Sequence, residues 1–236
     1  VAGAAGGVGE EIVRALLSRV HDARVVAISR HPARLTRLAE RLAAAGLADA
    51  ERARLVRVVA DVSDAGGAHD AVRLAREEAG EADVAIPSLG GWWEGRLLDV
   101  DEPTYDRVMT EMFRAHFHFA RAFVPELVRR PNGLYLGIGG GAALSPVPNA
   151  GLVSIAGAAQ LMLTRVLAAE TQGTGVTVRE LVVNGPVSTR EVPGPPEWIT
   201  AREIGEVVAD LVVRGTTSWP KQRERGPLLI MDPVRG

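Results

Sequence analysis

Val1-Ala2-Gly3-Ala4-Ala5-Gly6-Gly7-Val8-Gly9 opens the chain, and the fold turns on its glycine spacing, G-x-x-x-G-x-G. Directly behind it Ile12, Val13, Leu16 and Leu17 recur at helix spacing. The glycines therefore fall where a first strand turns into a first helix. Val1 and Ala2 read as the tail of that strand, so a short stretch upstream is expected. In such a turn, missing Cβ atoms let the backbone approach a pyrophosphate, while the helix N-terminus offers oriented N–H groups and a favourable dipole.

Outward from the loop, short apolar runs alternate with helical patterns. Strands are predicted over 24–28, 55–60, 83–87, 133–138, 176–183 and 227–231. Helices are predicted over 32–45, 68–79, 103–129 (one long helix), 152–171 and 201–213, with Pro32 well suited to a first turn. Strands separated by helices are βαβ units, which form a parallel sheet with right-handed crossovers. The predicted fold is α/β: a doubly wound parallel sheet, Rossmann-like, in a single domain covering residues 1–236.

Composition narrows the chemistry. The 236 residues carry 27 Lys+Arg against 29 Asp+Glu, a formal charge of −2, which argues against a nucleic-acid or polybasic membrane surface. No uninterrupted apolar run reaches the length of a membrane span, and a soluble cytoplasmic protein is the default expectation. Cysteine is absent, which excludes disulfides, thiolate metal sites and a Cys nucleophile; no metal site is expected. The chain has a single Lys, Lys221, and only 2 Tyr, Tyr105 and Tyr135.

At the end of the second strand, a site that selects NAD places an Asp or Glu for the ribose hydroxyls. Here Ser29-Arg30 stands there, followed by Arg34 and Arg37. A guanidinium beside the ribose suits a 2′-phosphate, so NADP(H) is expected over NAD(H).

With these residues in view, the chain resembles the short-chain dehydrogenase/reductase family over essentially its whole length. The likeness rests on the loop with Gly3, Gly7, Val8 and Gly9, on Asp61-Val62 after the third strand, and on Gly90 after the fourth. It also rests on Asn184-Gly185-Pro186-Val187-Ser188-Thr189, similar to the family's P-G-P-V-x-T beside the nicotinamide. The resemblance implies that Asp61-Val62 holds the adenine and that Ser29, Arg30, Gly185, Val187 and Thr189 also serve the cofactor. Ala2 departs from the family's usual Thr, Pro87-Ser88-Leu89-Gly90 from N-N-A-G, and Asn184 from Pro.

The resemblance also implies a catalytic Ser, a Tyr and Lys in Y-x-x-x-K, and an Asn on the long fourth helix. Carried over in register, the Ser falls on Gly140, the Tyr on Val153, the Lys on Gly157 and the Asn on Met112. No Y-x-x-x-K occurs anywhere in this sequence. General acid–base help is worth about 10²–10⁴ in rate, so reduction of an ordinary ketone is not expected.

His116, four residues after Met112, is the expected replacement acid or base, since that spacing shares a helical face. Ser154, Ser145 and Asn149 are lesser candidates. Trp92 and Trp93 after the fourth strand are expected to wall an apolar pocket at the C-terminal edge of the sheet, together with Met112, Val153 and Trp198. The proline-stiffened stretch 190–198 corresponds to the family's substrate lid. The exchange of Tyr for Val153 and Lys for Gly157 predicts a roomier, apolar floor.

Three readings stand at this point. One is an NADP(H)-dependent reductase of a bulky hydrophobic, activated acceptor such as an iminium, quinone or conjugated enone. Another is a non-redox enzyme (a cyclase, isomerase or lyase) on the same scaffold. The third is a catalytically silent dinucleotide-binding protein. A homodimer or homotetramer is expected, because the resemblance pairs helices 103–129 and 152–171 across a twofold axis and Ala156-Gly157-Ala158-Ala159 permits close approach.

Overall fold

The computed structural model describes residues 1–233. Among the described residues nine strands run in chain order: β1 (Val25–Ser29), β2 (Leu55–Val59), β3 (Val84–Ala85), β4 (Leu134–Gly140), β5 (Thr177–Val183), β6 (Val187–Ser188), β7 (Ile199–Thr200), β8 (Glu224–Arg225) and β9 (Leu228–Met231). Eight helices connect them: α1 (Gly7–Arg19), α2 (Pro32–Ala44), α3 (Asp49–Arg52), α4 (Ala65–Ala79), α5 (Glu102–Met109), α6 (Ala115–Val128), α7 (Gly151–Glu170) and α8 (Ala201–Arg214).

Val1-Ala2 joins the strands into one sheet. Ile28 N donates to Val1 O at 2.8 Å on one side, and Ala2 N donates to Ile86 O at 3.0 Å on the other. The order is β2-β1-(Val1-Ala2)-β3-β4-β5-β9, parallel throughout, with β8 antiparallel on the far edge. This is the doubly wound Rossmann-like sheet predicted above.

Side chains alternate between two cores. Leu134, Leu136 and Ile138 of β4 and Leu181 and Val183 of β5 pack with α1, α2 and α8 on one face. Tyr135 and Val178 pack with α4 and α6 on the other. The three leucines of α2 that face its core, Leu35, Leu38 and Leu42, recur at helix spacing. Gly205 lets α8 touch α1, because a Cβ there would run into the Glu11 carbonyl.

One expectation is corrected and one qualified. The long helix over 103–129 is interrupted: Thr110–Arg114 forms a π turn between α5 and α6, and the extra residue in that turn resets the helical face of everything after it. Also, α7 is long and apolar enough to cross a membrane by length and composition, because alanines and glycines dilute its few polar residues. In the fold it is a sheet-covering helix, with Leu152, Val153, Ala156, Gln160, Leu161 and Thr164 buried.

Candidate functional site

The glycine loop lies at the C-terminal edge of the sheet, between Val1-Ala2 and α1. Gly3 has φ 73°, which an L side chain rarely adopts, and a Cβ there would strike the Ser88 carbonyl. A Cβ on Gly9 would strike Gly3 itself, so that glycine sets how closely α1 meets the loop. Gly6 caps α1 with no side-chain hydrogen bond, leaving its first-turn N–H groups to a ligand or to water. Val8 packs against the core beneath.

Around this loop the structure gathers the other cofactor candidates. Ser29 Oγ accepts from His31 N at 3.2 Å, and Arg30 reaches across to Glu111 of the π turn at 3.1 Å. Asp61 accepts from Ser63 N at 3.0 Å, and Val62 is buried. Gly90, with φ 122°, lies against Met112: a Cβ there would sit 3.6 Å from Met112 Cγ. Gly185 lies under Pro233, and Val187 leads through β6 to Thr189, whose Oγ1 accepts from Val192 N at 3.0 Å. A cradle of glycines that no Cβ fits and an uncapped helix start suit the pyrophosphate of a dinucleotide.

The catalytic face is built otherwise. Gly140, at the end of β4, has open space where a Cβ would point. A Cβ on its neighbour Gly141 would meet Asn184 Oδ1 at 2.5 Å, and Asn184 in turn donates to Asp232 at 2.8 Å. Val153 is buried, and a Cβ on Gly157 would lie 2.9 Å from Ala143 Cβ. The 3-10 turn Gly141–Ala143 therefore packs against α7 at Gly157. The roomier floor expected from the sequence is not found at Gly157, where Ala143 stands close, whereas the space at Gly140 is open.

His116 also differs from expectation. It has no exposed surface; its Nε2 lies 3.2 Å from the Leu89 carbonyl, which fixes the Nε2–H tautomer, and its Nδ1 has no partner. Burial pushes its pKa down to about 4, with the Leu89 contact opposing weakly. Met112 against Gly90 and His116 against the Leu89 carbonyl face the same turn, so the shared face holds, and what departs from expectation is the complete burial of the ring. An enclosed neutral imidazole ties α6 to the Leu89–Gly90 turn and has no surface from which to protonate a substrate. Ser154 Oγ is likewise engaged, accepting from Val147 N at 3.2 Å.

The two tryptophans part company. Trp92 is 60% exposed and donates through Nε1 to Glu94 at 2.7 Å, whereas Trp93 lies partly buried over Gly95. Gly95 N donates at 2.7 Å to the carbonyl of Asn149, itself in the left-handed region at φ 61°. The Trp93 loop is thereby stitched to the segment that starts α7, with Ser145 exposed nearby in sequence. Trp198 covers Gly194 and lines a cavity of about 80 Å³ with Ile199, Met231 and Pro233.

One polar cluster went unpredicted. Glu180, fully buried in β5, receives Gln160 Nε2 at 3.0 Å and Thr164 Oγ1 at 2.5 Å from α7. Gly137 and Gly139 of β4 leave the room it occupies. Desolvation pushes its pKa up to about 7, with those hydrogen bonds opposing. The signal lay in an acid inside the apolar run T-V-R-E-L-V-V beside a strand ending G-I-G-G.

A doubly wound sheet with a dinucleotide cradle at its C-terminal edge defines an oxidoreductase-type nucleotide-binding fold. Residues 1–194 match the family model described as short chain dehydrogenase, and the chain belongs to that family. It is 31% identical over 242 residues to galactitol 2-dehydrogenase (L-tagatose-forming) of Cereibacter sphaeroides, spanning 99% of this chain and 87% of that protein. Among solved structures, a dehydrogenase/reductase from Sinorhizobium meliloti 1021 superposes with TM-score 0.81 at 26% identity, over 98% of this chain and 92% of that one. An NADPH-bound short chain oxidoreductase from Pseudomonas aeruginosa PAO1, described as containing an atypical catalytic center, gives TM-score 0.82 at 20% identity. That match covers 100% of this chain and 95% of the other, and at this identity it speaks to the fold alone.

Proposed function

We propose that the chain binds NADP(H) and works as an oxidoreductase on a bulky hydrophobic acceptor activated enough to need no proton from a Tyr–Lys pair. The bound nicotinamide would supply hydride transfer. The observation that carries the reading is a juxtaposition. The glycine loop keeps the close backbone approaches at Gly3, Gly7 and Gly9, while the face where the family keeps its acid holds buried Val153 and Ala143 against Gly157. Gly3, Gly7 and Gly9 would hold the pyrophosphate, Arg30 the 2′-phosphate, Asp61 and Val62 the adenine, and Thr189 the nicotinamide end. Exposed Trp92, Leu97, Leu98 and Leu144 in the loops after β3 and β4 support an apolar acceptor.

The enclosed His116 favours a second reading, a dinucleotide-binding protein without turnover. Nicotinamide fluorescence on titration with NADPH, followed by a panel of quinone, enone, iminium and simple ketone acceptors, separates the two. Oxidation of NADPH by activated acceptors but not by simple ketones is the expected result. Tight NADPH binding with no acceptor consumed would establish the silent reading.

We also infer a homo-oligomer that covers the outer face of α7. Ile155, Met162 and Val166 are 46%, 54% and 44% exposed along that helix, and their spacing puts them on one stripe.

A further inference from the structure

A carboxylate stands at each of the two places where a dinucleotide's phosphates would be read. Glu191 follows Thr189 in a turn that closes on itself: Thr189 N donates to Val192 O at 3.0 Å, Val192 N to Thr189 Oγ1 at 3.0 Å, and Gly194 N to Ser188 Oγ at 2.9 Å. The turn lies directly on the glycine loop. A Cβ on Gly7 would sit 2.7 Å from Thr189 Cβ and 2.8 Å from Glu191 Oε2. The Glu191 carboxylate therefore lies beside Gly7 in the first turn of α1, within the field of the helix dipole though accepting from none of its N–H groups. Its ion-pair partner is the adjacent Arg190, and its charge is felt by Arg41 of α2, which Glu10 holds at 2.7 and 2.8 Å.

At the other end, Arg30 is bound to Glu111 at 3.1 Å, and Glu111 is also 3.8 Å from Arg107. The pair is partly exposed, at 43% and 35%, so it is weakly held and screened by salt.

We propose that Glu191 and Glu111 are built-in competitors for the cofactor: Glu191 for the pyrophosphate at Gly7, and Glu111 for the 2′-phosphate at Arg30. The proposal rests on the NADP(H)-binding reading above. Binding then exchanges two internal carboxylates for ligand phosphates, and it lifts the Ser188–Gly194 turn or swings Glu191 out of it, releasing Arg190. Affinity is set below what the cradle alone would give. The two carboxylates also act on different ligands, because the pyrophosphate is common to NADPH and NADH whereas the 2′-phosphate belongs to NADPH alone.

Calorimetric titration of the whole chain with NADPH and with NADH tests this on the native protein, E191Q, E111Q and the double variant. Both side chains are surface groups, and thermal melts check that the variants stay folded. E191Q should tighten both ligands equally, by about five- to tenfold, the loss of one carboxylate competing at a helix start. E111Q should tighten NADPH by about three- to fivefold and leave NADH unchanged, the scale of one exposed ion pair. Native-like affinities in E191Q overturn the role of Glu191, and an equal gain for NADH in E111Q overturns that of Glu111, in both cases with NADP(H) binding intact. If no form binds either dinucleotide, the cofactor reading itself falls, and this proposal falls with it.

Discussion

Replacing Glu180 by Gln should change how stability depends on pH. In the fold its pKa is raised from 4.5 to about 7, chiefly by desolvation. The unfolded chain releases this proton near 4.5, so between that pH and about 7 the native state holds one proton more. Stability then falls by about 1.4 kcal/mol per pH unit across that window, an order-of-magnitude total of ~3 kcal/mol lost at pH 7 and above. His116 works in the opposite sense. Its pKa is lowered from 6.5 to about 4, so the unfolded chain takes up its proton first, and stability falls as pH drops from 6.5 towards 4. The two slopes nearly cancel between pH 4.5 and 6.5, which hides both in the native protein. E180Q unmasks them. Gln is isosteric with the protonated acid: its amide donates to Thr164 Oγ1 and its oxygen accepts from Gln160 Nε2, so the buried cluster stays satisfied. Urea denaturation of both proteins from pH 4.5 to 8 gives the difference curve. E180Q should match the native protein near pH 4.5 and exceed it by ~3 kcal/mol, to within a factor of two, at pH 8. Parallel curves across the range would falsify the assignment of a raised pKa to Glu180.

Three further outcomes follow from the site. Arg30→Ala should cost NADPH about tenfold in affinity by calorimetry while sparing NADH, as loss of one charge-assisted phosphate contact requires; equal loss for both ligands would count against Arg30 as the 2′-phosphate residue. Restoring the family pair as V153Y/G157K should destabilise the chain by about 1–3 kcal/mol in denaturant melts, because the new Cβ meets Ala143 at 2.9 Å. Adding Ala143→Gly should recover part of that loss, and no recovery would show that the strain lies elsewhere. Met162→Glu, at a position 54% exposed on α7, should shift the light-scattering mass towards the monomer, whereas an unchanged mass would remove this face from the interface.

What the sequence makes legible here is what depends on pattern and backbone. The period of Leu35, Leu38 and Leu42, the β-branched run at Val25–Ser29 and the glycines at 3, 7 and 9 each act through their own element, and each stands where its spacing puts it. What stayed hidden depends on how elements answer one another. Nothing in Thr110–Arg114 announces a π turn, and nothing in the spacing of Met112 and His116 announces that the Leu89–Gly90 turn closes over the imidazole. Small residues at Val153 and Gly157 read as a vacancy when α7 is considered alone, but the loop after β4 brings Ala143 against Gly157. The same coupling explains Glu180, an apparent intruder in an apolar strand until Gly137 and Gly139 of the neighbouring strand are seen to make its space and α7 to supply its hydrogen bonds. Glu180 lies between the strand that ends at Gly140 and the helix that carries Val153 and Gly157. A sealed polar cluster thus lies between β4, β5 and α7, out of reach of the cleft. On the proposed reading, hydride transfer at this site would proceed without help from His116 or Glu180, because both are sealed from the cleft.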